Sequence, residues 1–263
     1  MKYNQHLKLV ISLFALCSGI ASIVFLQKDS LSELETVKNY DTYHKEQLAF
    51  TSAAKVRKEI PSFGFNNLLA DLTFLKFVEY FGDAEAREIT GYSTVTDYFE
   101  DIVNRDPNFI QSHLVMSAAN SLFTGKPEET VSLINKALEK VDLKAPHYPF
   151  LLWTYKAVDE TIFTGDLKAA RHSYEIAARW ARQYKEVELG KEMARRYDKT
   201  AKYLASNPDP TEAQFGAWMS ILYTTKDQKT QAHILKQIKN LGAEVNITPD
   251  GRLDIKPPKF NKA

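Results

Sequence analysis

A single cysteine, Cys17, stands in a chain of 263 residues. That excludes a disulfide within the chain and any zinc site built from cysteine pairs. Glycine and proline are scarce, ten of each, which excludes a protein of many short strands joined by Gly/Pro turns and favours long helices. Charge of one sign is not in excess either. Thirty-four Lys and Arg face thirty-three Asp and Glu, so the basic surplus of a nucleic-acid binder is missing. The six histidines never stand three or four residues apart, so no helix carries a metal-binding pair. No glycine-rich phosphate loop and no G-x-S-x-G turn occurs. The expectation is a chain with no metal, no cofactor and no nucleic-acid partner. Apolar residues at 44% and charged residues at 25% still describe a chain that folds rather than one that stays disordered.

What is present begins with a long uncharged run, LVISLFALCSGIASIVFL at residues 9–26. At about 1.5 Å per residue a helix of that length reaches roughly 27 Å, close to the thickness of a bilayer core. Lys2, His6 and Lys8 precede it and Lys28 and Asp29 follow, so the charge bias puts the N-terminus in the cytoplasm and the rest across the membrane. Three readings fit: a retained anchor, a signal peptide cleaved near Gly19-Ile20-Ala21, and a lipoprotein signal ending at Cys17. The run extends well past both sites, and Leu16 is large for a lipoprotein signal, so the anchor is the expectation. The small pairs Ala15/Gly19 and Ser18/Ser22 allow close helix contact in lipid, although small residues are common in membrane helices generally.

The body of the chain repeats. Displaced by forty residues, Phe123-Thr124-Gly125-Lys126 falls on Phe163-Thr164-Gly165-Asp166, Thr130 on Ala170, Ile134 on Tyr174 and Ala137 on Ala177. Each stretch predicts a helix, a glycine turn and a second helix. A further unit precedes these, with apolar patterning over residues 65–83 and 93–109 and a break at Asp106-Pro107. Helices are expected over 185–206, 211–224 and 229–241. Asp209 or Thr211 caps the second of these and Gly242 stops the third. Residues 243–247 and 252–255 alternate about a Pro249-Asp250-Gly251 turn, which predicts a small β-hairpin.

The spacing of Gly165, Ala170, Tyr174 and Ala177, repeated more loosely by Gly125, Thr130, Ile134 and Ala137, resembles the second half of a tetratricopeptide repeat. The forty-residue period is longer than that family's usual thirty-four, and its first-helix Trp, Leu and Tyr positions are not all kept. The segments 64–82 and 153–166 also look like a group of cyanobacterial membrane-anchored proteins with such repeats. The resemblance implies an all-α solenoid of antiparallel helix pairs. It also implies a place at a thylakoid or plasma membrane and a part in assembling photosynthetic or other membrane complexes. In that family the first helices line a groove. Carried onto this chain, the groove residues are Leu152, Tyr155, Asp159 and Ile162 in one unit and Ser112, Val115, Ala119 and Leu122 in the other, facing a protein or peptide partner. The plainer alternative is that the chain's own neighbouring helices fill that groove.

The resulting division is an anchor at 1–29, a polar helical stalk at 30–60, a helical repeat domain at 61–242, and a hairpin with a tail at 243–263. The expected function is a non-enzymatic, single-pass membrane scaffold with its domain on the non-cytoplasmic side, a thylakoid lumen or periplasm if the chain is cyanobacterial. The alternative is a permanent subunit of a membrane complex. A hydrolase is a remoter third reading. Its carboxylate candidates are Asp159 with Glu160, and Asp71 with Asn67, each of which reads more simply as a structural group. Arg179, Arg182, Arg195, Arg196, Lys199 and Lys202 suggest a basic stripe, but the interleaved Glu186, Glu188, Glu192 and Asp198 make a mixed-charge solvated face the simpler reading. Nothing in the sequence sets the oligomeric state.

Overall fold

The structure is a computed structural model that describes residues 18–19, 21–22, 42–45, 48–49, 52, 62–83, 89, 91–184, 188–225, 228–248 and 252–260. The chain divides into two compact units, Met1–Tyr43 and His44–Ala263. In the first, Ser18, Gly19, Ala21 and Ser22 are helical and exposed, and the Ser22 hydroxyl donates to the Ser18 carbonyl at 2.8 Å. The remainder of the expected anchor, Cys17 and Ile20 of its candidate processing sites included, lies outside the described residues, as do most of the stalk and the 249–251 turn. Among the described residues no helix is long and apolar enough to cross a membrane.

The second unit is mostly helical and ends in a two-stranded antiparallel sheet. Its helices are α1 (Asn66–Gly82), α2 (Val95–Arg105), α3 (Ile110–Met116), α4 (Pro127–Leu138) and α5 (Phe150–Ile162). They are followed by α6 (Leu167–Ala181), α7 (Glu188–Leu204), α8 (Thr211–Thr224) and α9 (Gln228–Asn240). A π-helical segment, Ser117–Phe123, continues α3.

Local chemistry explains the boundaries. Pro107 cannot supply a helical N–H, and the Asp106 carboxylate takes the Asn108 N–H at 2.9 Å, which closes α2. Gly125 (φ +70°) and Gly165 (φ +71°) hold left-handed turns that a side chain disfavours, so each reverses the chain between two helices. After the first turn Pro127 opens α4, with Glu128 and Glu129 against its positive end. After the second, the Asp166 side chain accepts the Ala169 N–H at 2.9 Å and caps α6. Asp209 accepts the Thr211 N–H at 3.0 Å at the start of α8, and Gly242 (φ +91°) follows α9.

The two glycine-turn units pack as their spacing predicts. Thr130, Ile134, Ala137, Ala170 and Ala177 are buried, while Tyr174 is half-buried against Leu204 and 5.9 Å from the Tyr197 ring. Ala177, Ala178 and Ala181 let α6 and α7 approach closely over Ala194 and Tyr197. At the other end, Phe77 of α1 lies 4.6 Å from Phe99 of α2, ring centre to ring centre, and seals the first core.

The last pair departs from a simple stack. In a continuous solenoid α8 and α9 would bury their apolar faces on α7. Instead Trp218, Leu222, Ile234 and Ile238 form a core with Leu122, Phe123 and Phe163, the residues at the glycine-turn ends of the two preceding pairs. Phe163 meets Trp218 edge to face at 5.2 Å, and Gln214 donates to the Thr161 carbonyl at 3.3 Å. Thr230 of α9 donates to the Tyr92 hydroxyl at 3.2 Å, reaching back to the loop before α2.

The hairpin strands are β1 (Glu244–Ile247) and β2 (Leu253–Lys256), with Val245 opposite Ile255. Both of those side chains lean on the α8–α9 core, as two short strands require for stability.

Candidate functional site

The eight groove positions do not share one environment. Tyr155 and Val115 are exposed and Ile162 is half-buried. Leu152, Asp159, Ser112, Ala119 and Leu122 are buried, which corrects their placement on an open groove. Ser112 turns inward and donates to the Phe109 carbonyl at 2.8 Å, whereas for Ala119 and Leu122 the physical cause is the π-helical segment. Its wider turn rotates every later side chain relative to α-helical spacing, so Ala119 and Leu122 swing inward. On α5 the cause is packing from two sides, since α6 covers one flank and α3 with its π segment covers another. The strip that does face solvent runs through Gln111, Val115 and Ala118 on the first unit and Tyr155 and Val158 on the second.

Beneath that strip lies a buried polar layer. Ser117 of the π segment donates to Asp159 Oδ1 at 2.9 Å, bridging the two units. Asp159 is fully buried. Its Oδ2 and the Ser121 hydroxyl have no hydrogen-bond partner among the described residues, although Ser121 lies close enough to affect the carboxyl. Burial pushes the Asp159 carboxyl up to about 7. The Ser117 and Ser121 hydroxyls pull it back down and the neighbouring Glu160 charge adds to the rise.

Next to it, Lys156 and Glu160 form a buried ion pair at 2.9 Å, one helical turn apart. Ser173 of α6 closes the triangle, donating to Glu160 Oε2 at 2.7 Å and accepting from Lys156 Nζ at 3.1 Å. The Lys156 ammonium also sits 5.0 Å from the centre of the Trp153 ring. Sequence alone singles out Asp159 and Glu160 but not Lys156, Ser117 or Ser173. Of these three only Lys156 leaves a signal, its four-residue spacing from Glu160.

A second buried group stands on α3. His113 is fully buried, with Nε2 3.2 Å from the Pro107 carbonyl and Nδ1 3.3 Å from the Ser112 hydroxyl. Burial lowers it to about 4, against hydrogen bonds to the Pro107 and Asp106 backbone that favour the charged form. The remaining carboxylate candidate, Asp71 with Asn67, lies on the exposed face of α1. Of the suggested basic stripe, Arg182 pairs with Asp198, Arg196 with Glu192 and Arg195 with Glu188, as expected of a mixed-charge face.

Among the described residues, two clefts stand out. One, of about 770 Å³, lies between the start of α6 and the loop before α8, with Asp166, Lys168, Tyr203 and Asn207 on its walls. The other, of about 210 Å³, lies between Tyr92, Lys126, Lys229 and His233. None of the buried polar groups above lines either cleft. Among the described residues no three His, Cys, Asp or Glu side chains converge as a metal would require. The polar layer can hold a proton and register two helix pairs against each other. It has no route to a substrate through these clefts. No family model matches the chain, and neither a curated protein nor a solved structure matches it.

Proposed function

We propose that the chain is a membrane-anchored scaffold that binds a protein or peptide partner along the exposed strip of its first helices. The observation that carries this reading is the strip itself. Tyr155 and Val158 on α5 stand with Gln111, Val115 and Ala118 on α3 and its continuation, on helices that pack side by side. Apolar side chains with a phenol and an amide among them, on neighbouring helices, suit an extended or helical peptide. The tetratricopeptide-like reading is supported by two helix pairs offset by forty residues and turning on Gly125 and Gly165. The anchor is supported by the uncharged run at 9–26.

A photocrosslinking amino acid at position 155 or 115, in intact membranes, should trap the same partner. One at the exposed Lys168 on α6 should not. Equal trapping at all three positions, or none at 155 and 115, defeats the proposal.

A further inference from the structure

Helix α1 is apolar on two opposite faces. Ala70, Thr73 and Phe77 point into the protein and are buried. On the other side Leu68, Leu72 and Leu75 are exposed, Leu72 at 46% and Leu75 at 63% of their full surface, and Phe65, the residue just before the helix, is exposed as well. Their spacing of three, four and three residues is the seam of a two-helix coiled coil, with Phe65 and Leu72 at one seam position and Leu68 and Leu75 at the other. Glu79 takes the next seam position and ends the apolar run.

The charges beside the seam specify its occupant. Asp71 and Lys76 flank it on opposite sides, five residues apart, and neither has an ion-pair partner among the described residues. Asp71 instead adds to the forces that raise the Asp106 carboxyl. In a parallel helix pair a residue on one flank meets the residue five places later on the partner's opposite flank. Asp71 of each copy would then meet Lys76 of the other, twice over. An antiparallel pair brings like flanks together and sets acid against acid. A membrane surface is a poorer occupant, because amphipathic helices that lie on lipid carry a basic polar face, whereas this stripe is bordered by one acid and one base.

We infer that α1 is a homodimerisation helix, whose exposed seam binds the same seam of a second copy in parallel. Two copies would remove on the order of 1,000 Å² from water, the lower limit for a specific interface, so the dimer is weak and concentration-dependent. This inference is independent of the strip on α3 and α5.

The test uses the full chain in detergent micelles with Cys17→Ser, carrying either Leu68→Cys or Leu75→Cys and joined by a short thiol crosslinker. Each variant alone should give a covalent dimer, well above an Asn67→Cys control at the side of the seam. Asp71→Lys should lower the yield roughly threefold to tenfold, and Asp71→Lys with Lys76→Asp should restore it. Helical circular dichroism confirms that each variant is folded. Product only when the two cysteine variants are mixed means an antiparallel pair and overturns the inference. So does a yield no higher than the control, or a dimer indifferent to the charge at 71.

Discussion

Two buried groups titrate in opposite senses, so the folded chain should conceal a large pH dependence that single substitutions expose. Asp159 has its carboxyl raised from 3.8 to about 7. Between those values the unfolded chain has lost the proton and the folded chain keeps it, so stability falls as pH rises. His113 is lowered from 6.5 to about 4. Between those values the unfolded chain carries the proton and the folded chain does not, so stability rises with pH. Each group contributes about 1.4 kcal/mol per pH unit within its window. From about pH 4 to 6.5 the two slopes cancel.

Asp159→Asn removes one slope and leaves the other. Its stability should climb by about 3 kcal/mol from pH 4 to 6.5. His113→Gln should do the reverse and lose up to about 4 kcal/mol from pH 4 to 7. The amide at 159 carries no charge that burial would oppose at high pH. Asp159→Asn should therefore exceed the parent in stability at pH 8 and lose that advantage near pH 4. The assay is urea denaturation of the full chain in mild detergent at half-unit pH intervals, taking differences from the parent so that every other group drops out. A difference between Asp159→Asn and the parent that stays flat from pH 4 to 8 would refute the buried, proton-holding carboxyl.

Two further outcomes follow from the packing. Gly125→Ala places a side chain in a left-handed turn, with its Cβ driven into the His233 ring, and should cost about 2 kcal/mol or more. Gly165→Ala meets only Gln214 Nε2 at 3.5 Å and should cost about 1 kcal/mol; equal losses in thermal melts would deny that α9 covers the first turn. Lys156→Ala strands Glu160 in the interior and should cost about 3–5 kcal/mol, most of which Lys156→Met with Glu160→Leu recovers. A single variant as stable as the parent in urea melts would show that the pair is solvated.

The features legible in the sequence were those that local chemistry decides. The turns at Gly125 and Gly165, the stop at Gly242 and the break at Asp106-Pro107 are each set by one or two residues. The helix faces of the repeat follow from spacing, which is why Ala170 and Ala177 are buried as expected. The hairpin alternation placed its strands to within one residue. Less legible was anything that depends on distant parts meeting. No pattern in 211–241 reveals that Trp218 and Ile234 pack on Leu122 and Phe163 rather than on α7. Ala119 and Leu122 do not join the solvent-facing strip because of a π-helical turn, which has no strong sequence signature. Asp159 looks like a groove residue in the sequence because its partner, Ser117, lies forty-two positions away.

The return of α9 to the start of the fold changes how the chain should come apart. Lys229 bonds the Ile89 carbonyl at 3.4 Å and Thr230 the Tyr92 hydroxyl, across 140 and 138 positions. A linear array of helix pairs can fray from either terminus, each unit held only by its neighbour. Here α9 is fastened like a clasp to the loop that precedes α2, so the last pair cannot melt without releasing that loop. Denaturation should therefore be a single cooperative transition, and folding should be slowed by the long loop that must close before the clasp engages.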